Sequence, residues 1–280
     1  MNTKLNVSAL AALCAAAALA APQSPVVIYG QVRDEYGNNL QNSSAVTLKL
    51  ARADDASGTV YATTTVGETP YPGMNYRLSL EIDSEGPTRP YAVVQGTAMQ
   101  IRFFGDAGEL PATQGTVFDV PPNGTPLRKD FFLGEDADGD GMPDVWEAWT
   151  LQLDGRAADA AAIAAFKPGD DPDGDGMNNM RELLAGTDPF LKTDLFEITH
   201  FVKTGEGDRT EIKFTTSPDR KYRIVTATGL GADAVWVPVA TSLTPSGAAE
   251  YTTYPGTGRD RMLYIDTPAS DSAFFRVAVQ

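Results

Sequence analysis

Apolar and polar residues alternate along most of this chain, and the alternation breaks in one place. Between residues 21 and 134 the stretches VVIYGQVR, AVTLKLAR, TVYATTTV, NYRLSLEI, YAVVQG, AMQIRFF, TVFDV and KDFFL read as half-buried strands. Successive strand residues point to opposite faces, so a period of two puts one set in a core. The segments between them are rich in Gly, Pro, Asn and Asp, the residues that turns require. Short strands with regular turns predict a β-sandwich. Residues 191–280 return to the same pattern in LFEITHFV, RTEIKFTT, KYRIVTA, AVWVPVA, AEYTTY, RMLYIDT and AFFRVAV, which predicts a second, smaller sandwich.

Residues 135–190 read differently. DVWEAWTLQL places Val145, Trp149 and Leu153 four apart, an apolar helical stripe with Trp146 beside it. AADAAAIAAF is a short Ala-rich helix ended by Pro168 and Gly169. NNMRELLAG puts Met180, Leu183 and Leu184 on one face and stops at Gly186. The expected fold class is therefore mainly β, with two β-sandwich domains flanking a small helical module. Both Trp146 and Trp149 are expected in that module's core.

The first and last of these helices each follow a loop crowded with carboxylates: DADGDGMPDVWE at residues 136–147 and DPDGDGMNNMRE at residues 171–182. Like charges so close repel unless a cation sits among them. A calcium ion takes six to eight oxygen ligands, and a twelve-residue loop can supply them from positions one, three, five, seven, nine and twelve, with glycine at six for the sharp turn. The first loop fills these positions with Asp136, Asp138, Asp140, Met142, Asp144 and Glu147, around Gly141. The second fills them with Asp171, Asp173, Asp175, Met177, Asn179 and Glu182, around Gly176. The two methionines would contribute main-chain carbonyls. The donors are all hard oxygen, which disfavours zinc and copper, and a flexible loop ending in a bidentate glutamate suits calcium better than magnesium. Two calcium ions are expected.

These loops resemble the extracellular bacterial form of EF-hand-type calcium repeats, thrombospondin type-3-like and dockerin-like, over residues 136–190. GTDP at residues 186–189 is a further mark of the thrombospondin type-3-like form. The resemblance implies a calcium loop followed by an exiting helix. Position eight, usually aliphatic where paired loops bridge, is Pro143 and Asn178 here, which leaves pairing of the two loops open. At the other end, IYGQVRDEYGNNLQNSSAVTLKL and GMNYRLSLEI resemble carboxypeptidase-regulatory-like, transthyretin-like sandwiches, which implies a scaffold or spacer. The C-terminal KYRIVTATGL, VWVPV and AFFRVAV are similar to a small β-domain that follows calcium repeats in secreted bacterial proteins.

Charge narrows the partners. Lys and Arg number 22 and Asp and Glu 37, a net charge of −15, which disfavours nucleic acid and anionic membranes and favours cations. Residues 1–20 hold one basic residue, Lys4, no acid, an apolar run and Ala18-Leu19-Ala20, the pattern of a cleaved secretory signal peptide. The single cysteine, Cys14, lies inside it, preceded by Leu13 rather than the small residue that lipidation wants. The mature chain is then cysteine-free, and no later stretch has the ~18 apolar residues that would span a bilayer. The expected location is extracellular or cell-surface, with the periplasm as an alternative.

Catalytic patterns are scarce. His200, the one histidine, alternates with Phe196, Ile198 and Val202 as a strand-face residue, with a general base as the rival reading. No nucleophile elbow, phosphate loop or dinucleotide fingerprint occurs. The domains expected are a leader at 1–20, a sandwich at 21–134, the calcium module at 135–190 and a small sandwich at 191–280. The leading function is a non-enzymatic secreted calcium-binding structural protein whose calcium stiffens the joint between two β-domains. One rival is dockerin-like docking of a protein or matrix partner through the exit helices. The other is a carbohydrate-binding or hydrolase accessory presenting Tyr71, Tyr76 and Tyr91.

Overall fold

A computed structural model of the protein describes residues 23–40, 45–67, 73–84, 89–113, 115–122, 124–203, 209–230, 234–250, 252–266 and 273–279. The expected leader and Tyr71 lie outside these residues. The fold is mainly β, with several sheets and, among the described residues, three short helices.

The first ten strands are β1 (Val26–Gly30), β2 (Val32–Arg33), β3 (Thr47–Arg52), β4 (Val60–Thr65), β5 (Tyr76–Leu80), β6 (Ala98–Gly105), β7 (Gly108–Leu110), β8 (Val117–Asp119), β9 (Leu127–Arg128) and β10 (Phe131–Phe132). One sheet runs β4-β3-β6-β7 with β8 also on β6, and a second runs β5-β1-β9. Strands β2 and β10 pair in parallel. Alternation explains how the sheets face each other. Val26 and Ile28 of β1 lie opposite Leu80 and Leu78 of β5, while Leu48, Leu50, Met99, Ile101 and Phe103 line the inner face of β3 and β6. All nine enter one buried core.

Eight more strands follow the helices: β11 (Ile198–Lys203), β12 (Arg209–Phe214), β13 (Lys221–Ala227), β14 (Val237–Pro238), β15 (Thr241–Ser242), β16 (Tyr254–Pro255), β17 (Arg261–Asp266) and β18 (Phe274–Val279). They form a β11-β12-β17-β15 sheet and a β14-β13-β16 sheet with β18 on β13. Ile212, Phe214, Leu263 and Ile265 from the first meet Tyr222, Ile224 and Val277 from the second. His200 lies in β11 beside Glu211 of β12, its Nε2 3.3 Å from Oε2.

Among the β segments three features differ from the sequence expectation. YAVVQG forms no strand and contributes only a bridge between Ile82 and Val93. Strands β7, β9 and β15 lie in stretches expected to be turns or left unassigned, being too short to show a period. Tyr76 is 1% exposed and its hydroxyl donates to the Lys129 carbonyl, so it belongs to the core and does not join Tyr91 in a surface row.

The helices are α1 (Asp144–Leu153), α2 (Ala160–Ala165) and α3 (Asn179–Ala185). A third, smaller core gathers Met142, Trp146, Leu151, Phe166 and Leu183 against Phe132 of β10. The expected apolar stripe of α1 is rotated. Trp146, Glu147, Thr150 and Leu151 face inward, whereas Trp149 and Leu153 are 51% and 60% exposed. Trp149 instead meets Tyr36 edge to face, with ring centroids 6.3 Å apart. The cause is Glu147: burying the last residue of the loop fixes the helix's rotation, and residues three and four along share its face.

One side chain joins all three regions. Arg220, just before β13, is buried and donates to the carbonyls of Leu183 and Leu184 in α3 at 2.8 and 3.0 Å. It also donates to the Tyr36 carbonyl at 3.0 Å and to Asn38 Oδ1 at 2.5 Å, in the turn after β2. Gly37 of that turn has φ of +77°, and a Cβ there would stand 2.7 Å from the Leu183 carbonyl oxygen. Only glycine admits this approach.

Candidate metal centre

Each acidic loop is organised by its own first aspartate. Asp136 Oδ1 and Oδ2 accept from the amides of Asp140 and Gly141, both at 3.0 Å. Asp171 Oδ1 and Oδ2 accept from Gly174 and Gly176 at 2.9 and 3.0 Å. The fifth-position aspartates turn back on the seventh residue, Met142 N donating to Asp140 Oδ1 at 3.1 Å and Met177 N to Asp175 Oδ1 at 2.6 Å. Gly141 and Gly176 share a φ of +100°, the left-handed region that allows the chain to reverse there. Two segments of different sequence therefore adopt the same wrap.

The wrap brings carboxylates together. One oxygen each from Asp136, Asp138 and Asp140 lie within 4.8 Å of one another, as do those from Asp171, Asp173 and Asp175. Two ligands held at roughly 2.4 Å from a shared calcium ion can be at most about 4.8 Å apart. The twelfth positions close both clusters from inside their helices. Glu147 and Glu182 are 0% and 1% exposed.

Several oxygens of these clusters lack hydrogen-bond donors. Both Glu147 oxygens, Glu182 Oε2, Asp140 Oδ2, Asp173 Oδ2, Asp175 Oδ2 and Asn179 Oδ1 are buried and accept no hydrogen bond from the described residues. A buried oxygen without donors is costly, and six carboxylate oxygens and one amide oxygen in two clusters fit a site for a cation. Burial, then the charges of Asp140, Asp138, Asp144 and Asp136, push Glu147 up to about 9. Burial, then Asp175 and Asp173, push Glu182 up to about 8. Asp140 and Asp173 are raised as well, chiefly by burial. The donors are oxygen throughout, matching calcium chemistry.

The ninth positions diverge. Asp144 Oδ1 accepts from the Ala137 amide at 2.9 Å and so also closes its loop. Asn179 keeps Oδ1 unpartnered while its Nδ2 donates to the Lys167 carbonyl at 2.7 Å. Met142 packs its side chain into the small core, and Met177 is half-buried. Among the described residues no β-bridge joins Pro143 to Asn178.

Three neighbours were not read as part of the site. Thr187 Oγ1 donates to Glu182 Oε1 at 3.3 Å, and the GTDP sequence was its only trace. Asp194 Oδ2 accepts from the Asp188 amide at 3.1 Å, holding the chain that leaves α3. Lys167 reaches the first cluster from the far end of α2, a position no local spacing reveals.

Residues 171–192 match the family described as the bacterial TSP3 repeat. The match begins at Asp171 and so takes in the second loop, α3 and GTDP. No curated protein matches the chain.

Proposed function

We propose that this protein is a secreted, non-enzymatic calcium-binding structural protein in which two calcium ions order the segment between two β-sandwiches. Supporting this, the TSP3 repeat is an extracellular structural calcium-binding module. The observation that carries the reading is the pair of buried glutamates at the twelfth positions of the two loops, in which both Glu147 oxygens and Glu182 Oε2 accept no hydrogen bond. The first ion would be held by Asp136, Asp138, Asp140, the Met142 carbonyl, Asp144 and Glu147. The second would be held by Asp171, Asp173, Asp175, the Met177 carbonyl, Asn179 and Glu182. Bound calcium supplies positive charge that removes the mutual repulsion of these carboxylates.

The chain's own residues convert that neutralisation into rigidity. Glu147 and Glu182 tie each loop to the helix that follows it. Helix α3 then presents the Leu183 and Leu184 carbonyls to Arg220, which also grips the turn after β2. A secretory leader at 1–20, a sandwich at 21–134, a calcium module at 135–190 and a sandwich at 191–280 complete the proposed layout. At a hundredfold excess over its dissociation constant each ion adds about 2.7 kcal/mol. For a module with so small a core this is a large share of its stability.

Limited proteolysis with mapped cut sites tests the reading. Chelator should open residues 135–190 to cutting while the flanking sandwiches persist. An identical cutting pattern with and without chelator would rule it out. A second reading, docking of a protein partner, draws on the exposure of Trp149 and Leu153 beside Tyr36 on a cleft of about 480 Å³ at the junction. A pull-down that depends on calcium and is lost in Trp149→Ala would favour docking.

A further inference from the structure

The two loops share a wrap but not their surroundings, and the difference is a lysine. Lys167 Nζ lies 2.5 Å from Asp138 Oδ2 and 3.7 Å from Asp140 Oδ2, on the carboxylates of the first loop. Asp140 Oδ2 has no hydrogen-bond donor, so this ammonium is the positive charge it faces. The second loop has a lysine nearby too, but Lys192 Nζ donates to the Gly174 carbonyl at 2.8 Å and leaves the aspartates alone. Lys167 is also fixed in place. Its carbonyl accepts from Asn179 Nδ2 at 2.7 Å and from the Asp170 amide at 3.0 Å, and the next carbonyl, of Pro168, accepts from Met180 N at 3.1 Å. Its backbone is thus anchored to the start of α3, while its side chain reaches across to the other cluster.

Resting on the calcium reading above, we propose that Lys167 is a tethered counter-ion of the first loop: it occupies the charge of Asp138 and Asp140 until a divalent ion competes with it, so the first loop binds calcium more weakly and fills after the second. The physics is competition for the same negative charge. A cation held on the same chain is present at high effective concentration, and a divalent ion must either displace it or bind beside its positive charge. Both raise the dissociation constant of the first loop. Among the described residues no ammonium pairs with the carboxylates of the second loop, which is free of that competition.

The lysine side chain is half-exposed, so its replacement leaves the small core intact. Calorimetric titration of the full chain with calcium tests the proposal on wild type, Lys167→Gln and Lys167→Arg. Wild type should show two unequal sites. Lys167→Gln should tighten the weaker site by roughly fivefold, the scale of a half-exposed ion pair, and leave the tighter one unchanged. Lys167→Arg, which keeps the charge, should behave as wild type. In an Glu182→Gln background, where the first loop is left to report alone, Lys167→Gln should still tighten binding; in Glu147→Gln it should do nothing. A melting series gives an independent reading: in chelator Lys167→Gln should melt below wild type, because the cluster has lost its counter-ion, and in saturating calcium the deficit should vanish. Two wild-type sites with Lys167→Gln shifting neither, or shifting the tighter one, would overturn the role of Lys167 while leaving calcium binding intact. A wild-type chain that takes up no calcium would instead remove the wider reading.

Discussion

The N-terminal sandwich and the helical segment after it are held together by opposite means. In the sandwich, Ile28, Leu48, Leu78, Met99 and Phe103 are buried with apolar neighbours on every side, and strand hydrogen bonds satisfy the backbone. The helical segment contributes five buried hydrophobic residues to its small core, and it also buries Glu147, Glu182 and Asn179. The first kind of core is stable in any ordinary solvent. The second contains groups that repel one another and lack donors, and the proposed function makes its stability conditional on calcium. On that proposal, one chain joins a permanent framework to a joint whose order depends on its surroundings.

The largest effect that can break this comparison is removal of calcium. Chelation should cost the helical segment about 2.7 kcal/mol for each site that had been at a hundredfold excess, while sandwich strands keep their amide protection. Hydrogen exchange across residues 144–185 and across β1, β3 and β6 makes the contrast directly. Equal loss in both regions would dissolve it. Next in size is Leu78→Ala, which should cost about 3 kcal/mol in the sandwich whether or not calcium is present. A calcium-dependent cost for this change would mean that the two regions share one core.

Arg220→Met separates binding from stiffening. It removes four hydrogen bonds to α3 and to the turn after β2, at a cost of about 2 kcal/mol, and touches no calcium-loop carboxylate. Calcium stoichiometry should stay the same in titration, while protease sites around residues 183–197 open even with calcium present. Unchanged cutting would free Arg220 of its joining role.

The smallest effect sharpens the contrast through pH. Burial and neighbouring carboxylates hold Glu147 up at about 9 and Glu182 at about 8, against an ordinary value of 4.5. The unfolded chain gives up these protons first. Stability from the two protonated glutamates is therefore full below about pH 4 and is lost as pH rises toward 8 to 9. In chelator, the melting temperature should fall by a few degrees between pH 5.5 and 8.5. In calcium the trend should reverse, because the carboxylates must be ionised to bind. The same falling trend in both conditions would argue against glutamate ligation.

Much of this was legible in the sequence, for a physical reason. An acidic loop is built from neighbours, so its spacing shows which carboxylates can meet, and oxygens of Asp136, Asp138 and Asp140, and of Asp171, Asp173 and Asp175, come within 4.8 Å of one another. Long strands such as β3 and β6 were visible through alternation. What escaped depends on distant contacts. The rotation of α1 follows from the burial of Glu147, not from its apolar stripe, so Trp149 and Leu153 face outward. The Tyr76 ring looked like a surface aromatic until its strand was placed inside a sandwich. Arg220 meets Tyr36 and Asn38 across more than half the chain, and Lys167 meets Asp138 across two helices. Two-residue strands such as β9 and β15 are too short to carry a period.

Native mass spectrometry of the full chain in low-millimolar calcium addresses the central claim most directly. Two calcium ions should be retained, one should be lost in Glu147→Gln and the other in Glu182→Gln, and the double variant should retain none. A wild-type mass with no bound calcium, or two ions retained in the double variant, would contradict the account.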